Sequence, residues 1–219
     1  MTLPTFASQA AVPADSDETF ASPASAEQIE RTARALTAHG FGVEVLDDAQ
    51  SARARIAELL PEGSAVFTAA SETLRLSGIA DDINRSGRYA AVNPLVRSLD
   101  RATQGAEIRR LIATPEVVVG SVSAVTQDGT LVAVSASGSQ LPAYAGGAGR
   151  MIWIVGAQKI VPDLATALHR IQTYAYPLED VRARATYGRP SAINKVLIVN
   201  AEPLAGRTTV LLLREAIGF

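Results

Sequence analysis

The sequence predicts an α/β fold: a Rossmann-like, largely parallel sheet with helices on both faces and one antiparallel hairpin. Three observations predict it. The run Met151-Ile152-Trp153-Ile154-Val155 is apolar without a break, as expected of a strand covered on both faces. Amphipathic helical stretches alternate with such runs, the pattern of strand–helix units that feed a parallel sheet. Between the strand-like stretches Ser121–Thr126 and Leu131–Ser135 lies Gln127-Asp128-Gly129, the chemistry of a tight hairpin turn.

Met1–Ser25 is rich in Ala, Ser, Pro and Thr and carries Asp15, Asp17 and Glu18. It has neither a basic start nor an apolar centre, so it does not read as a signal peptide, and a flexible tail is expected. A single domain is expected over 26–219. Ser25 with Gln28 forms a capping-box pattern, Ile29, Ala33 and Leu36 recur at helical spacing, and Gly40 stops the helix. Phe41–Leu46 reads as a strand. Asp47 or Asp48 caps a helix whose inner face is Ala52, Ile56, Leu59 and Leu60, ended by Pro61-Glu62-Gly63. Ala65-Val66-Phe67 is a buried strand running into Thr68–Thr73, where a broken pair of short helices begins around Gly78.

Further on, a strand is expected near Tyr89–Val92, a loop at Asn93-Pro94, and a helix over Arg101–Ile112 broken by Thr114-Pro115. Val117–Gly120 is strand-like. Ala136–Gly149 is a turn of small residues with a short helix around Leu141–Ala145. Pro162 and Asp163 open a helix with Leu164, Ala167, Leu168, Ile171 and Ala175 on its inner stripe. A helix over Leu178–Tyr187 ends near Gly188, and Val196–Val199 and Thr208–Leu213 are closing strands.

Composition narrows the function classes. The chain has 219 residues, 47% of them hydrophobic, enough for a substantial core. Its net charge of −2 lacks the basic excess of a nucleic-acid binder and gives no electrostatic reason to sit on an anionic membrane. No apolar run reaches membrane-spanning length. There is no cysteine, so the chain offers no disulfide, no thiol nucleophile and no cysteine ligands for an iron–sulfur cluster. A reducing cytoplasm is the expected compartment. The two histidines, His39 and His169, lie far apart with no acid cluster beside them, so no metal or other cofactor is expected within the chain.

Two turns frame the candidate site. Ligands of open α/β sheets collect beyond the carboxyl ends of strands, where backbone N–H groups face outward. Thr68–Thr73 follows a strand in this way, and Ser71 and Thr73 add hydroxyl donors for an anion; Ser71 also serves as a helix cap, a role compatible with binding. Gly138, Ser139 and Gln140 follow the strand at 131–135 and are read as a second wall, against the alternative of a flexible loop. Neither turn carries the glycine fingerprint of a dinucleotide or P-loop site.

Of twenty basic residues, only Lys159 and Lys195 are lysine. Lys159 follows the apolar strand through Gly156-Ala157-Gln158, which puts a compact charge where a ligand anion would sit; Lys195 reads as a surface residue. Asp128 is the one candidate acid–base group, weighed against its plainer reading as a hairpin turn residue.

The stretches 120–130, Gly138-Ser139-Gln140 and 155–164, with Pro177, Arg182 and the segment Ala216-Ile217-Gly218-Phe219, resemble the LUD (lactate-utilisation) domain family. Gly63 and Ser71-Glu72-Thr73-Leu74 extend the resemblance, which covers the chain from about Ala26 onward. It implies a ribose-5-phosphate isomerase and CoA-transferase type of fold, with a small-residue turn holding phosphate or CoA. It also implies a part in oxidising L-lactate to pyruvate beside iron–sulfur partner proteins. Two departures stand out: Gln127 occupies a position where family members often carry Glu, and 183–200 lacks the cysteine cluster of longer relatives.

Two functions follow as expectations. In one, the chain is a small-anion-binding subunit of a lactate-utilisation system, without a redox centre of its own. In the other, it is a stand-alone enzyme acting on a phosphorylated or CoA-linked metabolite. Gln127 and the missing cysteines favour the first. A homodimer is compatible with the apolar faces, though no stretch requires one.

Overall fold

The computed structural model describes residue 13 and residues 16–219. Its main sheet has six strands, β1 (Gly42–Leu46), β2 (Ala65–Thr68), β3 (Ala90–Ala91), β4 (Val117–Gly120), β7 (Arg150–Gly156) and β10 (Thr208–Leu213). They run in the order β1-β10-β7-β4-β2-β3, and every pair is parallel. A second sheet of four strands, β5 (Ala124–Thr126), β6 (Leu131–Ser135), β8 (Ile160–Val161) and β9 (Lys195–Val199), is ordered β8-β5-β6-β9. There β6 pairs antiparallel with both neighbours, and β5 pairs parallel with β8.

The side-chain alternation of the central strands explains the layers. Val118, Met151, Trp153, Val155, Val210 and Leu212 point to one face and pack with Ile29 and Leu36 of α1 (Ala26–Ala38). Val117, Val119, Ile152, Ile154, Leu211 and Leu213 point to the other and pack with Ile56 of α2 (Ala49–Leu59) and with Ile79 and Ile83 of α4 (Ile79–Arg85). Each such side chain, fully buried, contributes about 1.5–3 kcal/mol relative to exposure. This is the α/β arrangement with helices on both faces that the sequence predicts. Between α2 and α4 comes α3 (Glu72–Leu76), separated from α4 by Gly78 at φ +77°.

Four elements differ from expectation. Asn93-Pro94 is not a loop but the first turn of α5 (Val92–Ser98). Proline costs nothing there, because first-turn N–H groups have no partner within the helix. Asn93 also has a use the local sequence does not reveal: its side-chain amide pairs with both Thr68 N (3.0 Å) and Thr68 O (2.9 Å), standing in for a strand beside β2. The helix expected from Arg101 starts later, as α6 (Gly105–Ala113).

The helix after Asp163 has a shifted phase. It runs as α7 (Leu164–Arg170), loosens into a wide turn over Ile171–Ala175, and continues as α8 (Tyr176–Tyr187). Its buried side chains are Ala167, Arg170, Ile171, Tyr174 and Ala175, while Leu164 and Leu168 are each 37% exposed. Finally, part of the expected tail is bound to the body. Asp17 N donates to Thr173 O (2.9 Å), Ala24 N donates to Ala157 O (3.3 Å), and Phe20 packs on the cluster around Ile171. The rest of the expected tail, 1–12 with 14 and 15, lies outside the described residues.

Candidate functional site

The joint between the two sheets builds the site. Strand β4 leaves the main sheet at Gly120 and re-enters the second sheet as β5; β7 leaves at Gly156 and re-enters as β8. Residues 121–123 and 157–159 are the two crossings. Gly120 is needed because the Tyr144 hydroxyl fills the place of its Cβ, and Gly156 because Gln158 and the backbone of Ile217 fill the corresponding place there. Ser121 Oγ ties the first crossing to β7 by donating to Ile154 O (2.6 Å). The short helical turn Ala157–Lys159 then directs Gln158 and Lys159 inward.

Lys159 is 2% exposed. Its Nζ donates to Thr73 Oγ1, Ser121 Oγ and Val122 O, each at 3.0 Å. Burial, and then the neighbouring Arg170, hold its ammonium well below the usual lysine value of 10.5. Arg170 is 0% exposed and bonds to a carbonyl in each crossing. Its Nε donates to Gln158 O (3.2 Å), its Nη1 to Ser123 O (2.5 Å), and its guanidinium stands 5.1 Å from the centre of the Tyr174 ring. Nη2 has no acceptor among the described residues. Burial brings the Arg170 pKa down to about 10, so at neutral pH it remains a cation. Among the described residues, every hydrogen-bond acceptor of these two basic groups is a hydroxyl or a backbone carbonyl, and none is a carboxylate.

Gln158 faces Ile217 and Gly218. Its Nε2 donates to Ile217 O and Gly218 O, both at 2.8 Å, and its Oε1 accepts from Ile217 N (3.2 Å). Thr73 Oγ1, which accepts from Lys159, donates in turn to Ile217 O (3.2 Å). Beside Thr73, Glu72 is buried but engaged by Arg75 through both oxygens, at 2.9 and 2.5 Å.

Of the residues singled out in the sequence, Thr73 and Lys159 meet directly. Ser71 lies at the edge of the same turn and caps α3, accepting from Leu74 N at 3.4 Å. Because α3 has five residues, its backbone end adds little to an anion site, and the site's positive character comes from side chains. Gly138, Ser139 and Gln140 form a separate knot at the end of β6. Gly138 N donates to Ser135 Oγ (2.8 Å), Ser139 Oγ to Gln140 Oε1 (3.3 Å), and Gln140 Nε2 to Val134 O (3.3 Å); Gly138 itself lies against the Lys195 side chain. None of these bonds reaches Lys159.

Asp128 is exposed in the hairpin turn, where it accepts from the Thr126 hydroxyl; Gly129 beside it has φ +88°. His39 ends α1 with Nδ1 3.3 Å from Gly129 O, and His169 is solvent-exposed. Arg170, Gln158 and Ser121 were not singled out in the sequence. One signal for Arg170 existed: 167, 170, 171 and 174 follow helical spacing, so an arginine on that stripe had to be buried with its charge.

A model of the LUD domain matches residues 29–212, most of the chain. The chain belongs to the LUD (lactate-utilisation) domain family. Its fold is similar to the crystal structure of a DUF162-family protein from Deinococcus radiodurans, with a TM-score of 0.52 at 14% identity, over 87% of this chain and 99% of that one. No curated protein matches it. At the level of the family this places the LUD domain in association with lactate utilisation. Among its described residues there is no cluster of acids and histidines suited to a metal ion, and no helix long and apolar enough to cross a membrane.

Proposed function

We propose that this LUD domain works in lactate utilisation as a subunit that binds a small anion at the sheet joint, between Lys159 and Arg170. One observation carries the reading: two basic side chains are buried at the same pair of backbone crossings, and among the described residues none of their hydrogen bonds goes to a carboxylate. A buried guanidinium without a counter-ion is costly, and an anion beside it relieves that cost while favouring the protonated form of Lys159. The open Nη2 of Arg170 supplies a ready donor. Thr73 and Ser121 add hydroxyls that already meet Lys159, and Ser71 lies at the start of the same turn.

Oxidising a 2-hydroxy acid to a 2-oxo acid releases two electrons and two protons. This chain has no cysteine, so the electrons pass to an iron–sulfur partner protein and this subunit holds the anion. Isothermal titration with L-lactate, pyruvate and inorganic phosphate tests it. Saturable binding to the wild type that is lost in Lys159→Met and weakened in Arg170→Gln is expected. Binding that survives both substitutions unchanged places the anion elsewhere and refutes the site.

A further inference from the structure

We infer that Ser121 and Lys159 form a serine–lysine pair that transfers small acyl groups, with Ser121 Oγ as the nucleophile on an ester or thioester carbonyl and the Lys159 amine as its base. This goes beyond the anion-binding reading and does not depend on it. Lys159 Nζ lies 3.0 Å from Ser121 Oγ, from Thr73 Oγ1 and from Val122 O. With its proton, the amine donates to all three. Without it, the amine keeps two N–H bonds and one lone pair, and the same set still satisfies it: Val122 O accepts, one hydroxyl accepts and the other donates. The three partners therefore hold a neutral amine as well as a charged one, and the neutral amine is the state a general base requires. Burial and the neighbouring Arg170 favour that state.

Of the two hydroxyls, Ser121 is the one a substrate can reach: Thr73 is 0% exposed, whereas Ser121 is half-buried. At rest the Ser121 hydroxyl donates to Ile154 O (2.6 Å). Turning the O–H bond about Cβ–Oγ carries that proton to Nζ while the oxygen stays in place, so the backbone need not move. Attack forms the bond from Oγ to the carbonyl carbon as the proton passes to Nζ. The bond to the leaving oxygen or sulfur then breaks, Nζ returns the proton to it, and an alcohol or thiol departs from acyl-Ser121. Water repeats the two steps: its proton goes to Nζ and then to Ser121 Oγ, and the carboxylic acid is released. Arg170 bonds to Ser123 O in the same crossing. It brings a cation, and an Nη2 donor without a partner among the described residues, to the charge that forms on the carbonyl oxygen. Because Ser121 is half-buried, the acyl group it accepts is small, of the size of acetyl.

The test uses the full chain with p-nitrophenyl acetate and a small alkyl fluorophosphonate, read by p-nitrophenolate release, intact mass and peptide mapping. The wild type is expected to gain one acetyl or one phosphonyl group per chain, mapped to Ser121, and to release p-nitrophenolate in a burst of about one equivalent. Ser121→Ala is expected to lose both adducts. Lys159→Met is expected to acquire them about 100-fold more slowly, the loss of a general base. A wild type that takes up neither group at Ser121 overturns the inference, as does labelling at an equal rate in Lys159→Met. Acetylation of the Lys159 amine in place of Ser121 also overturns it, since the amine would then be the nucleophile. Should Lys159→Met not fold, the position of the acetyl group in the wild type decides alone. Absence of an adduct leaves the anion site standing, because the titrations with lactate, pyruvate and phosphate decide that site by themselves.

Discussion

Replacing Lys159 by Met tests the electrostatics of the joint without a ligand. Methionine keeps the length and apolar bulk of the side chain and removes the amine. In the unfolded chain that amine carries its proton up to the ordinary value of 10.5; in the folded chain, burial and Arg170 hold it well below. Between those two values the unfolded state binds one more proton than the folded state, so wild-type stability rises with pH. The slope from one such group is about 1.4 kcal/mol per pH unit. The variant lacks this term. Its advantage over the wild type is therefore greatest at low pH and shrinks as pH rises toward 10.5.

The neighbouring groups do not imitate this over the useful range. Arg170 is held down to about 10, so its own contribution grows only above that value. Burial pushes the Tyr144 hydroxyl above the usual tyrosine range, so it stays neutral and its effect lies above 10. Urea unfolding of both proteins between about pH 7 and about pH 9 is the assay, and all other titrating groups are common to both. A difference in stability that falls by about 1.4 kcal/mol per unit over part of that range supports the argument. A difference that does not change with pH refutes it, since the amine would then be equally charged in both states.

Three further outcomes are expected. Binding of a carboxylate at the joint should raise the hold of Lys159 on its proton, so affinity should weaken as pH rises above neutrality; titration in buffers of different ionisation enthalpy reads the accompanying proton uptake. Glu202→Gln should cost about 3 kcal/mol by chemical denaturation, because it leaves Arg207, bound at 2.6 Å and 11% exposed in its side chain, without its partner. Burial pushes the Glu202 carboxyl up, but Thr208, Leu204 N and Arg207 together hold it below the usual 4.5. Its contribution is thus present above that value and lost as pH falls through the lower folded one, and the variant should show a shallower acid limb. Gly129→Ala should cost about 2 kcal/mol or more, since φ is +88° and a Cβ would meet the backbone of Ala35 and Leu36 in α1; faster exchange of hairpin amides at unchanged ligand affinity is the expected readout.

What could be read from the sequence follows the range of the interactions that decide it. Strands β4, β6 and β10 have the bounds expected at 117–120, 131–135 and 208–213, because apolar runs and turn residues are local signals. The capping box of Ser25 and Gln28 is local too, and it forms. The Asn93-Pro94 turn could not be read, because its helical state depends on an amide bound to Thr68, 25 residues away. The phase of α7 could not be read either: a wide turn at Ile171–Ala175 rotates the inner stripe, and Arg170 is drawn inward by carbonyls at 123 and 158.

The same division runs through the site. Lys159 is legible because lysine is rare among the twenty basic residues and this one follows the carboxyl end of a strand, and Thr73 because it follows a strand end. Gly138, Ser139 and Gln140 satisfied the same strand-end rule, yet they close their own knot at the end of β6. The rule fails there for a topological reason. β6 belongs to the second sheet, while the crossing that holds Lys159 is formed where β4 and β7 of the parallel sheet continue into β5 and β8. Gln158 carries no local mark at all, since its partners lie 59 and 60 residues further on. A polar residue beside a buried lysine is therefore the place to look first, because the cost of burying that charge has to be met by whatever the fold brings beside it.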